Sequence, residues 1–592
     1  MQVFRRIKVL TLVTICLLST LFFACQKDTP NSGVEAATPT PLQQTNEPIT
    51  IAVVTAVPTE AAPTLLATPS PVPTDTPAPT ALETPHMTTV SDPANWSYTW
   101  KLMVNGVETD AYTRTDAISF GGGDTYAALP GVLTLRGSNY RTNAAYGTAA
   151  ITEGKLSSIW SVDTGRLAKS SSGSWTGSGW TGQCLMVQWP DETKQIMNLY
   201  DDAKQKDGLI EVIYATMDGN VYFLDAETGK ATRDKLVVGI PFKGAGALDP
   251  RGWPILYLGT GDSYSPDAKK GRAMAYSLID YTRLIEVGKD HDSFSLRNWH
   301  AYDSSVLVDA ETDTLIVPGE NGILYTVHLN TKYDPAAGTL TMNPDEIVKQ
   351  RYDAKRLGPD RDGKYCYGYE SSAVTWQNYC YLCDNGGFMR CIDLNSMETI
   401  WVADLFDDTN STPAFEATAA GNFLYVGNTV DRTTSNGKGV STFFKINAMT
   451  GETVWTFTHT VTTDGHITGG CMSSAVLGEG SLSGLVFTGF ASSTGEREGI
   501  VYALRTSDGS VAWEYKLSTY TWSSPIVLYT DDGTGYLFIT DQQGVAVLLR
   551  AADGTLVTSL KLSENIEASP CAFGGLIVIG TRNQHILGIR VS

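Results

Sequence analysis

Three acidic residues stand just ahead of a recurring serine step: Asp303 before Ser304-Ser305, Glu370 before Ser371-Ser372, and Glu567 before Ala568-Ser569-Pro570. The step returns as Met472-Ser473-Ser474 and Trp522-Ser523-Ser524-Pro525. Repeated serines suit a structural task, because their hydroxyls satisfy backbone groups where strands converge. The residue ahead of them varies, as it would on a binding surface and also in a tolerant loop. If the steps meet in space, Asp303, Glu370 and Glu567 supply negative charge and Trp522 an apolar or sugar-stacking face, which Trp299 and His300 extend. Carboxylates beside an aromatic suit a basic peptide, a cationic group or a sugar, and disfavour a phosphate.

Other reactive residues lack the spacing that chemistry requires. Seven cysteines follow Cys25: Cys184, Cys366, Cys380, Cys383, Cys391, Cys471 and Cys571. Cys380 and Cys383 are three apart on an apparent strand, so they face opposite sides and do not chelate one ion. Haem attachment needs His after the second Cys, and Asp384 stands there. Cys380 and Cys391 flank the Asn385-Gly386-Gly387 turn, where a suitable register would bring them close; buried free thiols are the alternative. Gly259-Thr260-Gly261 lacks the strand-to-helix context of a nucleotide loop, and the histidines, His459 and His466 among them, show no metal-ligand spacing. Asp262 and Asp303 are single acids that could act as a base, in a chain where acids are plentiful. No metal is expected.

The 592 residues carry 63 acidic against 43 basic side chains, a net charge of −20 that repels nucleic acid and anionic lipid. One apolar run approaches spanning length: Val9 to Ala24, after the basic Arg5, Arg6 and Lys8 and before Cys25. It reads as an export signal over residues 1–24, with Ala24-Cys25 resembling a bacterial lipoprotein cleavage box in which Cys25 is lipidated; an uncleaved anchor is the alternative. Either way the rest of the chain is expected outside the cytoplasmic membrane. Residues 28–90 hold 12 Pro and 15 Thr and no Phe, Trp or Tyr, too little apolar surface to offset chain entropy, so residues 25–93 are predicted to be a disordered stalk. All 13 tryptophans follow it. Residues 94–135, alternating around Asn105-Gly106, are predicted as a small β-hairpin extension.

What positions the serine steps is a repeat. Asp225, Asn447, Arg505 and Arg550 each end an apolar strand, and Gly229, Gly451, Gly509 and Gly554 fall four residues later. Trp455 and Trp513 come eight residues after Asn447 and Arg505, and Trp401 holds that place after Asp393, where Met397 replaces the glycine. An apolar strand, a tight Gly turn and a returning strand with a bulky aromatic, with two strands upstream, form a four-stranded propeller blade. Third strands start near Val221, Ala273, Ile323, Met389, Thr442, Ile500, Val545 and Ile586. The eighth has no room for a fourth strand, and Ser158 to Val162, around Trp160, is a fourth strand without a blade. Pairing the two closes the ring without a free edge. The prediction is an all-β, eight-bladed propeller over residues 136–592, with seven blades as the fallback, whose innermost strands bring the serine steps to one channel mouth.

The Ala503–Gly509–Trp513 spacing resembles the tryptophan-docking motif of the pyrroloquinoline-quinone (PQQ) repeat family, with partial copies at Gly451/Trp455 and Trp401. The resemblance implies that Trp160, Trp401, Trp455 and Trp513 pack between blades. It spans quinoprotein dehydrogenases and cofactor-free scaffolds, including lipoproteins of the β-barrel assembly machinery, so it is specific for fold and not for function. Dehydrogenases of this kind commonly use a vicinal Cys-Cys disulfide beside the quinone, and no Cys-Cys dipeptide occurs here. The expected function is a non-catalytic, lipid-anchored envelope module without a cofactor, binding a protein or glycan. A PQQ- and calcium-dependent alcohol or sugar dehydrogenase is the alternative.

Overall fold

The computed structural model describes residues 83–592 except 170–171, 181, 262–270, 289–291, 298, 355–366, 433, 464–467 and 563. The signal segment, Cys25, nearly all of the stalk, Asp262, Cys366 and His466 lie outside the described residues. No helix among the described residues is long and apolar enough to cross a membrane.

Eight antiparallel sheets follow one another along the chain as blades 1 to 8, with innermost strands Leu185–Gln188, Ala247–Leu248, Leu307–Asp309, Val374–Trp376, Ala414–Thr418, Val476–Leu477, Ile526–Tyr529 and Cys571–Phe573. The eighth blade closes as expected: His585–Val591 pairs with Leu156–Asp163, with Gly588 opposite Trp160. The strand from the start of the ring thus serves as the outer strand of the last blade, joining the two ends of the ring in one sheet.

Large apolar side chains fill the spaces between neighbouring blades. Between blades 4 and 5, Cys391, Trp401, Phe415 and Phe444 share one buried cluster. The register there settles the cysteines. Cys391 pairs with Tyr381, and Cys380 with Ile392, so Cys380 and Cys391 face opposite sides of their sheet and sit in different clusters. No disulfide joins them; all six described cysteines are buried free thiols.

The indoles of the repeat lie where one blade meets the next. Trp160, Trp401, Trp455 and Trp513 donate Nε1–H to Ala226, Ala448, Thr506 and Ala551 carbonyls of the following blade, at 2.8, 3.1, 3.0 and 2.9 Å. Each carbonyl stands three residues before a motif glycine. Those glycines, with φ of +69 to +73°, lie so close to the rings that a Cβ at Gly229, Gly451, Gly509 or Gly554 would be 2.7 Å from an indole carbon. A left-handed turn and a close approach therefore both demand glycine.

The hairpin is not a free-standing extension. Thr99–Val104 pairs with Glu346–Asp353 and Val107–Thr109 follows it, adding fifth and sixth strands to blade 3. Asn105 and Gly106 both have positive φ (48° and 84°), as a type I′ turn requires.

A candidate ligand site at the open end of the channel

The serines form a ring about the axis. Backbone N–H groups of Ser305, Thr412, Ser474 and Ser524 donate to hydroxyls of the next blade, Ser372 and Thr412 also linking, in the order Ser305→Ser372→Thr412→Ser474→Ser524→Ser569 at 2.8 to 3.0 Å. Ser569 N–H continues to the Gly182 carbonyl of blade 1. The preceding hydroxyls serve their own neighbourhoods: Ser411 donates to Gly427 O and Ser473 to Gly489 O. These serines stand just ahead of the innermost strands rather than within them. Every one is buried, so their repetition is structural.

On the strand side of this ring the channel is filled by residues 131–146, which no periodic pattern announced. Gly131 and Val132 pair with Val187 and Met186 of blade 1. The carbonyls of Leu133, Asn139, Tyr140, Thr142 and Ala144 then accept N–H groups from Leu248, Thr375, Phe415, Leu477 and Ala572, in blades 2, 4, 5, 6 and 8. Thr134 shares a hydrogen bond with Ser305 of blade 3, and the Asn143 amide exchanges two with Val527 of blade 7. One segment thus makes a full circuit and touches all eight blades. Two fully buried arginines pin it. Arg141 donates to Ala373 O, Ser305 O, Leu135 O and Thr134 Oγ1, and Arg136 to Pro525 O and Ala475 O. Burial lowers their guanidinium pKa to about 10 and about 9. Beyond the segment, away from the serine ring, lies a cavity of about 790 Å³ walled in part by Tyr140, Tyr146 and Tyr529.

The opposite end carries the charge. Asp303 and Glu370, from the linkers into blades 3 and 4, come together with residues the serine steps did not reveal: Lys243, Glu320, Arg297, Asn385, Asp408 and Asn410. Lys243 Nζ lies 3.1 Å from Asp303 Oδ2. Arg297 Nη2 lies 3.8 Å from Glu320 Oε2, and its Nη1 donates to Asn385 Oδ1 at 2.7 Å. The Asn385 amide donates to Asp408 Oδ1 at 3.1 Å. The Asn410 amide, oriented as a donor, reaches Glu370 Oε2 at 3.1 Å and Asp408 Oδ1 at 3.3 Å. Gly368 makes room, since a Cβ there would fall 1.7 Å from Arg297 Nη1. Four carboxylates thus share one network with Lys243 and Arg297.

The remaining expected residues are arranged less tightly. Asp303 is 4% exposed and therefore belongs to the wall rather than a solvated rim. His300 is buried, with its carbonyl against Gly271, while Trp299 is half-buried beside the Arg297 guanidinium. Trp522 and Glu567 stand on the far side, in the linkers into blades 7 and 8. Trp522 Nε1 donates to Thr468 O at 3.1 Å, and Glu567 lies 3.5 Å from Arg582 Nε. Trp180, from the linker into blade 1, reaches across to donate to Met472 O of the blade 6 linker at 3.3 Å.

Burial first, then the charges of Glu370 and Asp303, hold the Glu320 carboxyl well above its usual range, against the opposing pull of Lys243 and Arg297. Burial also raises Glu370 and Asp408. A carboxyl with a raised folded pKa binds more protons folded than unfolded, so its contribution is full below the ordinary carboxylate range and is lost as pH rises through the raised value. The stability these carboxyls contribute is expected to fall as pH rises above the ordinary carboxylate range, and Glu320→Gln to stabilise the protein near neutrality and flatten the slope. Urea denaturation of both proteins from that range to neutrality checks this; a steeper slope in the variant contradicts it.

Under the dehydrogenase alternative the mouth would hold PQQ with calcium. PQQ is a tricarboxylate, and the four carboxylates here outnumber the two cations that share their network; such a wall repels it. Among the described residues, no group of three or more His, Cys, Asp or Glu is arranged to hold a metal ion. The described cysteines are buried and supply no disulfide. The described residues of the mouth supply neither a cationic clamp for a tricarboxylate nor a metal-ligand set.

Eight blades joined by Trp–Gly docking make the fold an eight-bladed β-propeller. Residues 368–590 match the family model described as outer membrane protein assembly factor BamB. No curated protein matches the sequence. Among solved structures, BamB from Moraxella catarrhalis is similar at 13% identity over 74% of this chain and 98% of that one, with a TM-score of 0.41. A quinohemoprotein alcohol dehydrogenase from Comamonas testosteroni follows at 12% identity, covering 80% and 82%, with a TM-score of 0.38. A europium-containing methanol dehydrogenase is similar at 11%, covering 76% and 89%, also at 0.38. These likenesses carry no functional argument.

Proposed function

We propose that the chain is a non-catalytic, extracytoplasmic binding module, anchored through a lipidated Cys25 and lifted by its stalk, which presents the open channel mouth to an envelope protein or glycan. The observation that carries this reading is the mouth itself: a wall of four carboxylates with two cations, backed by the serine ring and the circuit of residues 131–146. A charged channel mouth closed from behind suits a projecting polar group. The circuit also fits a rigid scaffold, because it fixes all eight blades against one another and leaves the mouth geometry little freedom.

The competing reading is a quinoprotein alcohol or sugar dehydrogenase. Incubation of the intact protein with PQQ and calcium, followed by dye-linked oxidation of alcohols and sugars, separates the two. No turnover above the cofactor alone is expected; sustained, saturable turnover would overturn the binding reading.

A further inference from the structure

We infer that the mouth captures a primary alkylammonium group, seated against Asp303, Glu320, Glu370 and Asp408 in place of a missing counter-charge. The inference rests on the binding reading above and gives its ligand a chemistry.

The charge count comes first. With all four carboxylates ionised, Lys243 and Arg297 leave an excess of two negative charges in the network. The second observation is independent of that count. Asp303 Oδ1 and Glu320 Oε1 are buried without a hydrogen-bond partner among the described residues, on side chains 3% and 2% exposed. A buried carboxylate oxygen left unpaired costs free energy that an N–H donor would recover. Glu370 and Asp408 are half-buried, so the network opens to solvent on their side. An ammonium group matches these two unpaired oxygens: it brings one positive charge and three donors on a narrow stem. The half-buried Trp299, beside Arg297, offers an apolar face for the stem. A phosphate, a sulfate or a second carboxylate has no place in such a wall.

Binding of the cation opposes the burial and like-charge repulsion that raise the Glu320, Glu370 and Asp408 carboxyls. The groups facing Glu320 are Asp303, Glu370, Lys243 and Arg297, and those facing Asp408 are Glu370, Arg432 and Asp431. The carboxyls ionise on binding, so affinity should rise with pH while the ligand stays an ammonium.

The test is a titration of the intact protein, followed by tryptophan fluorescence and calorimetry, with Nα-acetyl-lysine methylamide, 1,5-diaminopentane, the neutral norleucine counterpart and calcium chloride. The expected result is saturable binding of an amine, no binding of the norleucine compound, and at least tenfold tighter binding near pH 8 than near pH 5 (about one charge unmasked). Tighter binding of the lysine amide points to a partner protein's side chain, and tighter binding of the diamine to a free polyamine; either supports the ammonium pocket. The isosteric Glu370→Gln/Asp408→Asn variant should lose at least tenfold in affinity with no fall in melting temperature, a readout that separates charge from folding. Binding of calcium alone, silence with both amines, or unchanged amine affinity in the double variant would overturn the inference. Silence with the amines together with absent PQQ turnover would sink the ammonium pocket and leave the scaffold reading standing.

Discussion

Replacing Arg141 with alanine is expected to lower the unfolding free energy by about 3–5 kcal/mol, enough to halt accumulation of folded protein if the ring is of ordinary stability. The guanidinium is fully buried and donates to carbonyls of Ala373 and Ser305 in two blades and to Leu135 and Thr134 in its own segment. Truncation leaves these acceptors without donors in a space too tight for bulk water, and each orphan costs about 1–3 kcal/mol. Lysine should not rescue it, because a single ammonium cannot reproduce the planar fork that spans blades 3 and 4. Chemical denaturation of wild type, Arg141→Ala and Arg141→Lys measures the effect. A loss under about 1 kcal/mol for alanine would mean that the circuit of residues 131–146 is a passive filler rather than a tie.

The second large effect belongs to the docking indoles. Trp401 is fully buried between blades 4 and 5, packed with Tyr381 and donating to Ala448 O at 3.1 Å. Trp401→Ala removes the largest side chain of that interface and should cost about 3–5 kcal/mol. Trp401→Phe keeps most of the packing and loses the hydrogen bond, so about 1–2 kcal/mol is expected. From the other side of the contact, Gly451→Ala places a Cβ 2.7 Å from the ring in a backbone with φ of +71°. It should destabilise by more than about 1 kcal/mol, since strain and overlap act together. If Gly451→Ala is neutral, the close approach of turn and indole does not exist in solution.

The ring was readable because it repeats. Eight third strands and one unpartnered strand around Trp160 give the blade number, and the pairing of that strand with the last one follows from closure. The circuit was not readable. Residues 131–146 show neither a two-residue nor a helical period, and their hydrogen-bond partners are spread over some 390 residues of chain. Two arginines and two asparagines in one short stretch of a weakly charged sequence are the faint signal of a buried polar tie. Residues 94–135 were similarly divided from the propeller because the pairing of Trp100 with Tyr352 has no local signature.

At the mouth, the serine steps exposed one set of linkers and hid the other half of the site. Glu320 and Asn385 come from the turns between second and third strands, which return to the same end of the channel. Their sequences, Glu320-Asn321-Gly322 and Asp384-Asn385-Gly386, are a recurring acid or Asx turn and look purely conformational. Asn410 was missed because blade 5 uses Thr412 where the other linkers have a second serine; the hydroxyl ring accepts either. Reading Thr as equivalent to Ser would have recovered that position.

The claim that the acidic mouth is the working surface is tested most directly by partner capture from the protein's own cell envelope. Intact wild-type protein and the Glu370→Gln/Asp408→Asn variant, matched for melting temperature, are compared by quantitative mass spectrometry of what each retains. The account predicts one or a few components retained by wild type and depleted at least tenfold from the variant (about 1.4 kcal/mol of lost affinity), with elution by Nα-acetyl-lysine methylamide. Retention of the same components by both proteins would contradict it.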